Sequence, residues 1–228
     1  MTATANGQFA TATGSNSFAN GNIATATGQG SLANGALANA TGVGSIANGG
    51  NATATGADNL ASGLNATVVG VSSRAIGDNA TATGANSFAN GLNATATGVS
   101  STANGATATA YGQGSTANGD TATAYGQGST ANGSATTAIG QASNASGTGA
   151  TALGATAQAT ADSAIAVGNN AAATFTNSAA IGTGAATTRI NQVAHQHLHA
   201  RRHQFGGESC GINWNAAGGD HGCGRQPR

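Results

Sequence analysis

The fold is decided by a fourteen-residue stretch, Ala85-Asn-Ser-Phe-Ala-Asn-Gly-Leu-Asn-Ala-Thr-Ala-Thr-Gly98, which recurs with variations along most of the chain. Every seventh residue from Gly7 to Gly154 is glycine, and the same phase continues at Gly168 and Gly182. Ala stands two residues before each of these glycines, with Val68 as the exception. Units ending in Ala-Thr-Ala-Thr-Gly alternate with units ending in Ser-x-Ala-Asn-Gly, so the true period is 14.

This period predicts an all-β solenoid. A helical heptad is excluded because glycine costs about 1 kcal/mol at each helical position relative to alanine. Short strands separated by turns fit instead, since Thr favours strands and Gly reaches backbone conformations closed to other residues. Each seven-residue unit is then a strand plus a corner, and two units make one coil. Coils stacked by parallel hydrogen bonds at about 4.8 Å give a rod roughly 60 Å long.

The two faces of each predicted strand differ. Alternate residues point to opposite faces, so Ala and Gly share one face with Ser or Ala, while the other face varies. The repeat is represented by Gly14, Gly28, Gly84, Gly98, Ala26 and Ala82. A uniform small face marks a close approach of backbones, either inside the coil or between chains, and the sequence leaves both open. We expect the Asn before each Gly to tolerate left-handed geometry. A lone solenoid this thin buries little surface, which favours an oligomer.

Composition excludes several classes of function. The 228 residues include only 6 basic and 6 acidic side chains, with no net charge, so no basic stripe exists for nucleic acid. The repeat contains no His, Cys, Glu or Lys, so a nucleophile lacks its usual base and no enzyme is expected. We expect no cofactor. Lone carboxylates such as Asp58, Asp78, Asp120 and Asp162 are typical of solvated turns, and we expect no metal site.

The repeats resemble the head repeats of YadA-like trimeric autotransporter adhesins. The resemblance rests on the alternation of Ser-x-Ala-Asn-Gly with Ala-Thr-Ala-x-Gly over residues 1–194. It also rests on Asn177-Ser178-Ala179-Ala180-Ile181-Gly182, which is similar to the family's Asn-Ser-Val-Ala-Ile-Gly motif with Ala for Val. Residues 188–194 are similar to the passage that leads to the family's neck.

The resemblance implies a left-handed parallel β-roll, a homotrimer, and attachment to host extracellular matrix, cells or other surfaces. It makes residues 177–182 the candidate adhesive motif, because the motif with Val binds collagen in some members. It also implies an outer-membrane location through an export signal, a stalk and a β-barrel anchor. We expect none of these three parts in this chain, so contact with the membrane would require an anchor that lies elsewhere.

Three regions are expected from the change in composition. Residues 1–188 form the solenoid, 189–194 begin the neck, and 195–228 form a non-repeat tail. All five His, both Cys and the one Trp lie in this tail. Its residues are open to a metal site, a disulfide between Cys210 and Cys223, or an irregular, disordered segment that arose by a shift of reading frame. Back-translation with permissible codons yields a neck-like sequence in the shifted frame, which favours the last interpretation.

Some features carry alternative interpretations. Arg74 interrupts a row of apolar or Thr residues, which is open to a bulge or a lateral contact, although sequence drift is the favoured explanation. Tyr111 and Tyr125 lie one coil apart and are expected to stack. Triplets such as Asn51-Ala-Thr and Asn79-Ala-Thr are formal glycosylation acceptors that we interpret as turn chemistry. Ranks of Thr-Ala-Thr leave an ice-binding solenoid as the alternative function.

Overall fold

The protein forms a solenoid built only from strands. A computed structural model describes residues 2–195, and within that range it contains 27 β-strands and no helix. The strands form two parallel sheets. No helix in these residues is therefore long and apolar enough to span a membrane.

The sheets differ in strand length, and we name them accordingly. The short-strand sheet contains two-residue strands: β1 Thr4–Ala5, β3 Phe18–Ala19, β5 Leu32–Ala33, β7 Ile46–Ala47, β9 Leu60–Ala61, β11 Arg74–Ala75, β13 Phe88–Ala89, β15 Thr102–Ala103, β17 Thr116–Ala117, β19 Thr130–Ala131, β21 Asn144–Ala145, β23 Gln158–Ala159 and β25 Ala172–Ala173. The long-strand sheet contains strands of three or five residues: β2 Thr11–Thr13, β4 Thr25–Thr27, β6 Asn39–Thr41, β8 Thr53–Ala57, β10 Thr67–Val71, β12 Thr81–Ala85, β14 Thr95–Thr97, β16 Thr109–Tyr111, β18 Thr123–Tyr125, β20 Thr137–Ile139, β22 Thr151–Leu153, β24 Ile165–Val167, β26 Ala179–Ile181 and β27 Val193–His195.

Strand pairing follows the fourteen-residue period. In the long-strand sheet Ala96 lies opposite Ala110, and in the short-strand sheet Ala103 lies opposite Ala117. Each coil therefore contributes one strand to each sheet, and equivalent residues stack directly above one another. The predicted β-solenoid of fourteen-residue coils is confirmed.

The uniform face of the strands lies inside the coil. The alanines two residues before glycine are fully buried from Ala19 onward in both sheets, as are most residues four before glycine, such as Ala24 and Ser17. The structure thus decides between the two alternatives that the sequence left open. The interior admits little more than a methyl group, and Val68 is its largest fully buried side chain.

A row of buried serines links the interior to the backbone. The Ser115 hydroxyl donates to the Gly112 carbonyl oxygen at 2.9 Å, and Ser17 donates to Gly14 at the same distance. These bonds offset the loss of water around a buried hydroxyl. At Asn59 the row changes, because its amide nitrogen donates to the carbonyls of Thr55 and Gly70, both at 2.7 Å. The neighbouring strands β8, β10 and β12 are the five-residue ones.

Glycine is required at the corners because coils approach closely there. A Cβ on Gly28 would lie 2.6 Å from the Gly42 carbonyl oxygen of the next coil, and Gly28 also has φ of +122°. A Cβ on Gly21 would overlap the carbonyl of Gly35, although no left-handed φ applies to Gly21. Gly14, Gly84 and Gly98 share the arrangement of Gly28.

The expectation that Asn before Gly adopts left-handed geometry is wrong. Left-handed residues lie two positions after the glycine instead, as at Ile23 and Asn79, with φ of 58° and 55°. The Asn before glycine continues the ladder of the strand, as Asn20 donates its backbone N–H to the Ala33 carbonyl. Its side chain is therefore free to bond with the equivalent Asn of the adjacent coil.

The solenoid changes at its C-terminal end. Ala161 and Phe175 replace glycine at one corner, and Thr174 N–H there bonds to the Thr187 hydroxyl at 3.2 Å rather than to a backbone carbonyl. The short-strand sheet ends at β25, while the long-strand sheet continues to β27. The short-strand sheet therefore ends in the region where Ala161 and Phe175 replace the corner glycine.

Candidate functional surface

The outward side chains form straight rows, because each fourteenth residue stacks on the next. One row belongs to the long-strand sheet and occupies the position before glycine. It is mostly Thr up to Thr97, and then reads Tyr111, Tyr125, Ile139, Leu153, Val167 and Ile181 in consecutive register. We name these six residues the long-strand stripe. Tyr125 is 52 % exposed, so the stripe presents large apolar groups to solvent in the single chain.

Tyr111 and Tyr125 stack within this stripe. Their ring centroids lie 4.8 Å apart and the ring planes differ by 5°. The predicted two-rung ladder is confirmed. The spacing equals that of neighbouring parallel strands, so the geometry of the sheet brings the rings together.

A second row belongs to the short-strand sheet, and its large apolar residues lie in the N-terminal coils rather than in the C-terminal ones. It reads Phe18, Leu32, Ile46, Leu60, Arg74 and Phe88 in consecutive register, and we name it the short-strand stripe. From Thr102 onward the same row is polar at Thr116, Thr130, Asn144 and Gln158. Sequence reasoning missed this stripe, although the residues of each fourteenth position, read as a column, contain it.

Arg74 causes no bulge in this row. It pairs one for one with Leu60 and Phe88 on its two sides. The expectation of a bulge is therefore wrong. The Arg74 guanidinium instead lies 5.8 Å from the centroid of the Phe88 ring.

Amide ladders line two further rows. Asn6, Asn20, Asn34 and Asn48 bond in series through their side-chain amides at 2.8–3.0 Å. A second ladder joins Asn51, Asn65, Asn79 and Asn93 at 3.0–3.1 Å, and these are the residues of the formal glycosylation triplets. The side chains are exposed, yet each ladder amide bonds to its neighbour.

Three aspartate carboxylates accept hydrogen bonds from backbone N–H groups at the corners. The Asp78 Oδ1 accepts the backbone N–H of Leu64 at 2.8 Å, and Asp162 accepts that of Thr148 at the same distance. Asp120 accepts from Ala106 at 3.1 Å. Each of these bonds joins adjacent coils. Residues 2–195 contain no group of three or more potential metal ligands. The metal, disulfide and frame-shift interpretations of the tail concern residues outside those that the structure describes, except His195.

The candidate adhesive motif occupies the end of the long-strand sheet. Ser178 and Ala180 point inward and are buried, and Ser178 donates to the Phe175 carbonyl oxygen at 2.6 Å. Asn177 is exposed in left-handed geometry and bonds to Asn191 at 2.7 Å. Ile181 is 46 % exposed, Ala179 is half-buried, and Gly182 forms the corner with φ of 114°. A partner can therefore contact Asn177, Ala179 and Ile181, while the other three residues build the coil.

Comparison with known proteins places the repeat in a family. A family model described as the YadA head domain repeat matches residues 2–22, 12–38, 26–52, 40–58, 61–87, 89–115, 110–136, 131–157 and 159–185. In-register coils with an alanine interior define a repeat-built β-solenoid, and these matches span more than half of the chain. The chain belongs to the YadA head domain repeat family, and it has the role of an adhesin head.

Two further comparisons are more limited. A solved structure, the collagen-binding domain of the Yersinia adhesin YadA, is 26 % identical, with 78 % of this chain and 76 % of that chain covered and a TM-score of 0.33. The search of curated proteins found no match.

Proposed function

We propose that this solenoid attaches a bacterial cell to host extracellular matrix, host cells or other surfaces. Membership of the head-repeat family supports an adhesive role. The observation that carries the proposal is the register of the outward rows, in which each coil contributes one side chain at the equivalent position. Regular rows allow many weak contacts to act together, and such contacts give strong attachment without a deep pocket.

We propose further that the working unit is a homotrimer. The long-strand stripe leaves Tyr111, Tyr125, Ile139, Leu153 and Ile181 between 37 % and 52 % exposed in the single chain. Contiguous exposed apolar surface of this kind is typical of contact sites between proteins. Packing between copies along this sheet removes the stripe from water, and the short-strand sheet then faces outward.

The proposed ligand is a host matrix protein or another surface component. The family's Asn-Ser-Val-Ala-Ile-Gly motif binds collagen in some members, so collagen is the first ligand to test. Within the motif 177–182, the candidate ligand contact is Asn177, which is exposed at the corner, whereas Ile181 belongs to the long-strand stripe that packs between copies. The proposed location is the bacterial outer membrane, with attachment supplied by parts of the full-length protein beyond the head. We propose no catalytic activity, no cofactor and no nucleic-acid partner.

Two measurements test the proposal: binding to surfaces coated with matrix proteins, and the molecular mass of the assembly in solution. Purified full-length chain should bind to wells coated with collagen or other matrix proteins, and Asn177→Ala should weaken binding more than the matched corner change Asn170→Ala. Sedimentation should give three times the mass of one chain. A monodisperse monomer contradicts the trimer, and an absence of binding to every matrix coating contradicts matrix attachment.

The alternative function predicts a different result. An ice-binding solenoid requires two unbroken Thr ranks side by side, yet Asn39 interrupts one rank, Val69 interrupts the other, and the second rank ends at Tyr111. We therefore expect no thermal hysteresis. Strong hysteresis in the full-length chain would overturn adhesion in favour of ice binding.

A further inference from the structure

The short-strand stripe is not required by the coil. The interior alanines are fully buried both beneath the stripe, as at Ala61, and beneath the polar part of the row, as at Ala117. Thr116 and Thr130 occupy the row in later coils with the same strand pairing. The apolar residues from Phe18 to Phe88 are therefore not required for strand pairing, and they remain partly accessible: Phe18 is 41 % exposed, and the other apolar members of the stripe are half-buried. A contiguous apolar row that remains partly exposed is typical of a surface that a partner contacts.

Arg74 indicates the charge of that partner. It is the one cation among residues 2–188, and its side chain makes no hydrogen bond or ion pair with any residue that the structure describes. The Phe88 ring supports one side of the guanidinium, which holds it in the stripe. A guanidinium with unused donors matches a carboxylate, which it binds through two parallel hydrogen bonds.

The neighbouring row supplies hydrogen-bonding groups. Asn20, Asn34 and Asn48 lie two residues after Phe18, Leu32 and Ile46, so they share the outward face of the same sheet. Each ladder bond uses one amide N–H. The second N–H and one lone pair of each amide remain for a partner. An apolar row beside an amide row offers contacts to both the side chains and the backbone of an extended chain.

Other kinds of partner fit this surface less well. A polynucleotide requires several cations for its phosphates, and the stripe has one. An anionic membrane also requires a cluster of basic residues, and a net charge of zero gives no general attraction. An extended polypeptide needs apolar contact, backbone hydrogen bonds and at most one charge pair, which the stripe and the ladder provide together.

We propose that the short-strand stripe binds an extended polypeptide segment that lies along the solenoid axis. Apolar side chains of the segment contact Phe18, Leu32, Ile46 and Leu60. Its backbone bonds to the amides of Asn20, Asn34 and Asn48. An Asp or Glu of the segment pairs with Arg74. The inference rests on the proposed adhesive function and names a recognition surface distinct from residues 177–182.

The test selects ligands from a displayed library of random twelve-residue peptides on the immobilised full-length chain. The expected peptides contain one acidic residue together with several apolar residues. Replacing the acidic residue of a selected peptide with its amide should weaken binding about tenfold to a hundredfold. Arg74→Glu should abolish binding, and a peptide with Lys in place of the acid should bind Arg74→Glu again. Leu60→Thr should weaken binding, whereas the matched change Thr130→Val should leave it unchanged.

Several outcomes would overturn the proposal. These are selected peptides without an acidic residue, unchanged binding by Arg74→Glu or Leu60→Thr, and binding to neutral lipid vesicles that the same variants abolish. A fall in sedimenting mass for Arg74→Glu would show instead that the stripe joins copies of this chain. Circular dichroism of each variant confirms that the solenoid is intact. Attachment to matrix-coated wells is measured in parallel, so loss of the adhesive function is distinguished from failure of this surface.

Discussion

The inside and the outside of the same strands follow opposite rules. Along the interior, Ala96, Ala110 and Ala124 repeat without change, because the two sheets are separated by little more than methyl groups. One residue away, the outward row changes from Thr97 to Tyr111 with no change in pairing. The coil therefore constrains only half of its residues. The other half is free to carry recognition.

The two halves of the solenoid use that freedom in opposite ways. The N-terminal half places its apolar row on the short-strand sheet, from Phe18 to Phe88. The C-terminal half places it on the long-strand sheet, from Tyr111 to Ile181. One repeating backbone therefore presents two different surfaces, and the following substitutions test the distinction between inside and outside.

Two glycines of one corner should differ most. In Gly112→Ala the new Cβ would lie 2.6 Å from the Gly126 carbonyl oxygen, and φ of +127° adds strain. We expect a loss of about 3 kcal/mol or more in the free energy of unfolding. Gly114→Asn should lose less than about 1 kcal/mol, because nothing lies within 4 Å and Asn tolerates φ of +65°. Urea unfolding checks both, and equal losses would contradict steric contact between coils as the cause.

Substitutions of the adjacent residues Val68 and Val69 compare the stability contribution of an inward side chain with that of an outward one. Val68 is fully buried and Val69 is 43 % exposed. Val68→Ala removes two interior methyl groups and should cost about 2 kcal/mol. Val69→Ala should cost about 0.5 kcal/mol, because most of that side chain already contacts water. Thermal unfolding followed by circular dichroism measures both variants, and a larger loss for Val69 would show that the outward row is packed rather than free.

Two interior serines should respond with opposite signs. Ser115→Ala deletes a buried hydrogen bond to Gly112 and should cost about 1 kcal/mol. The Ser87 hydroxyl is buried and has no hydrogen-bond partner in the described part of the chain. Ser87→Ala should therefore be neutral or stabilise by up to about 1 kcal/mol. A comparison of urea midpoints decides, and the same loss in both would mean that hydroxyl bonding contributes nothing.

The tyrosine ladder should give the smallest effect. A double-mutant cycle with Tyr111→Thr and Tyr125→Thr should yield a coupling of about 0.5 kcal/mol, the low end for stacked rings, because both rings are about half exposed. The control cycle joins Tyr111 to Leu153, three coils away, where the changes should add. Coupling of equal size in both cycles would indicate a change in oligomeric state, which sedimentation of the single variants detects.

Much of the fold was predictable because few folds are compatible with glycine at every seventh residue. Glycine at every seventh residue excluded helices, and the alternation of two units gave the fourteen-residue coil that the pairing of Ala96 with Ala110 displays. The stacking of Tyr111 on Tyr125 followed from the same period. The candidate motif at 177–182 came from resemblance, and its adhesive role stays a prediction.

The period, the strand class and the positions that must stay small can all be derived from the amino-acid sequence, because they follow from local conformation and repetition. The assignment of the alanine face to the interior required the three-dimensional structure, since Ala packs equally well within a coil or between chains. The structure also shows left-handed backbone at positions such as Ile23, whereas the sequence pattern predicts it at Asn20. The close approach of adjacent coils determines the backbone of the corner more strongly than the intrinsic preference of Asn does. The period places residues fourteen apart in one row, and the structure adds that both apolar stripes lie on the outward faces of the sheets.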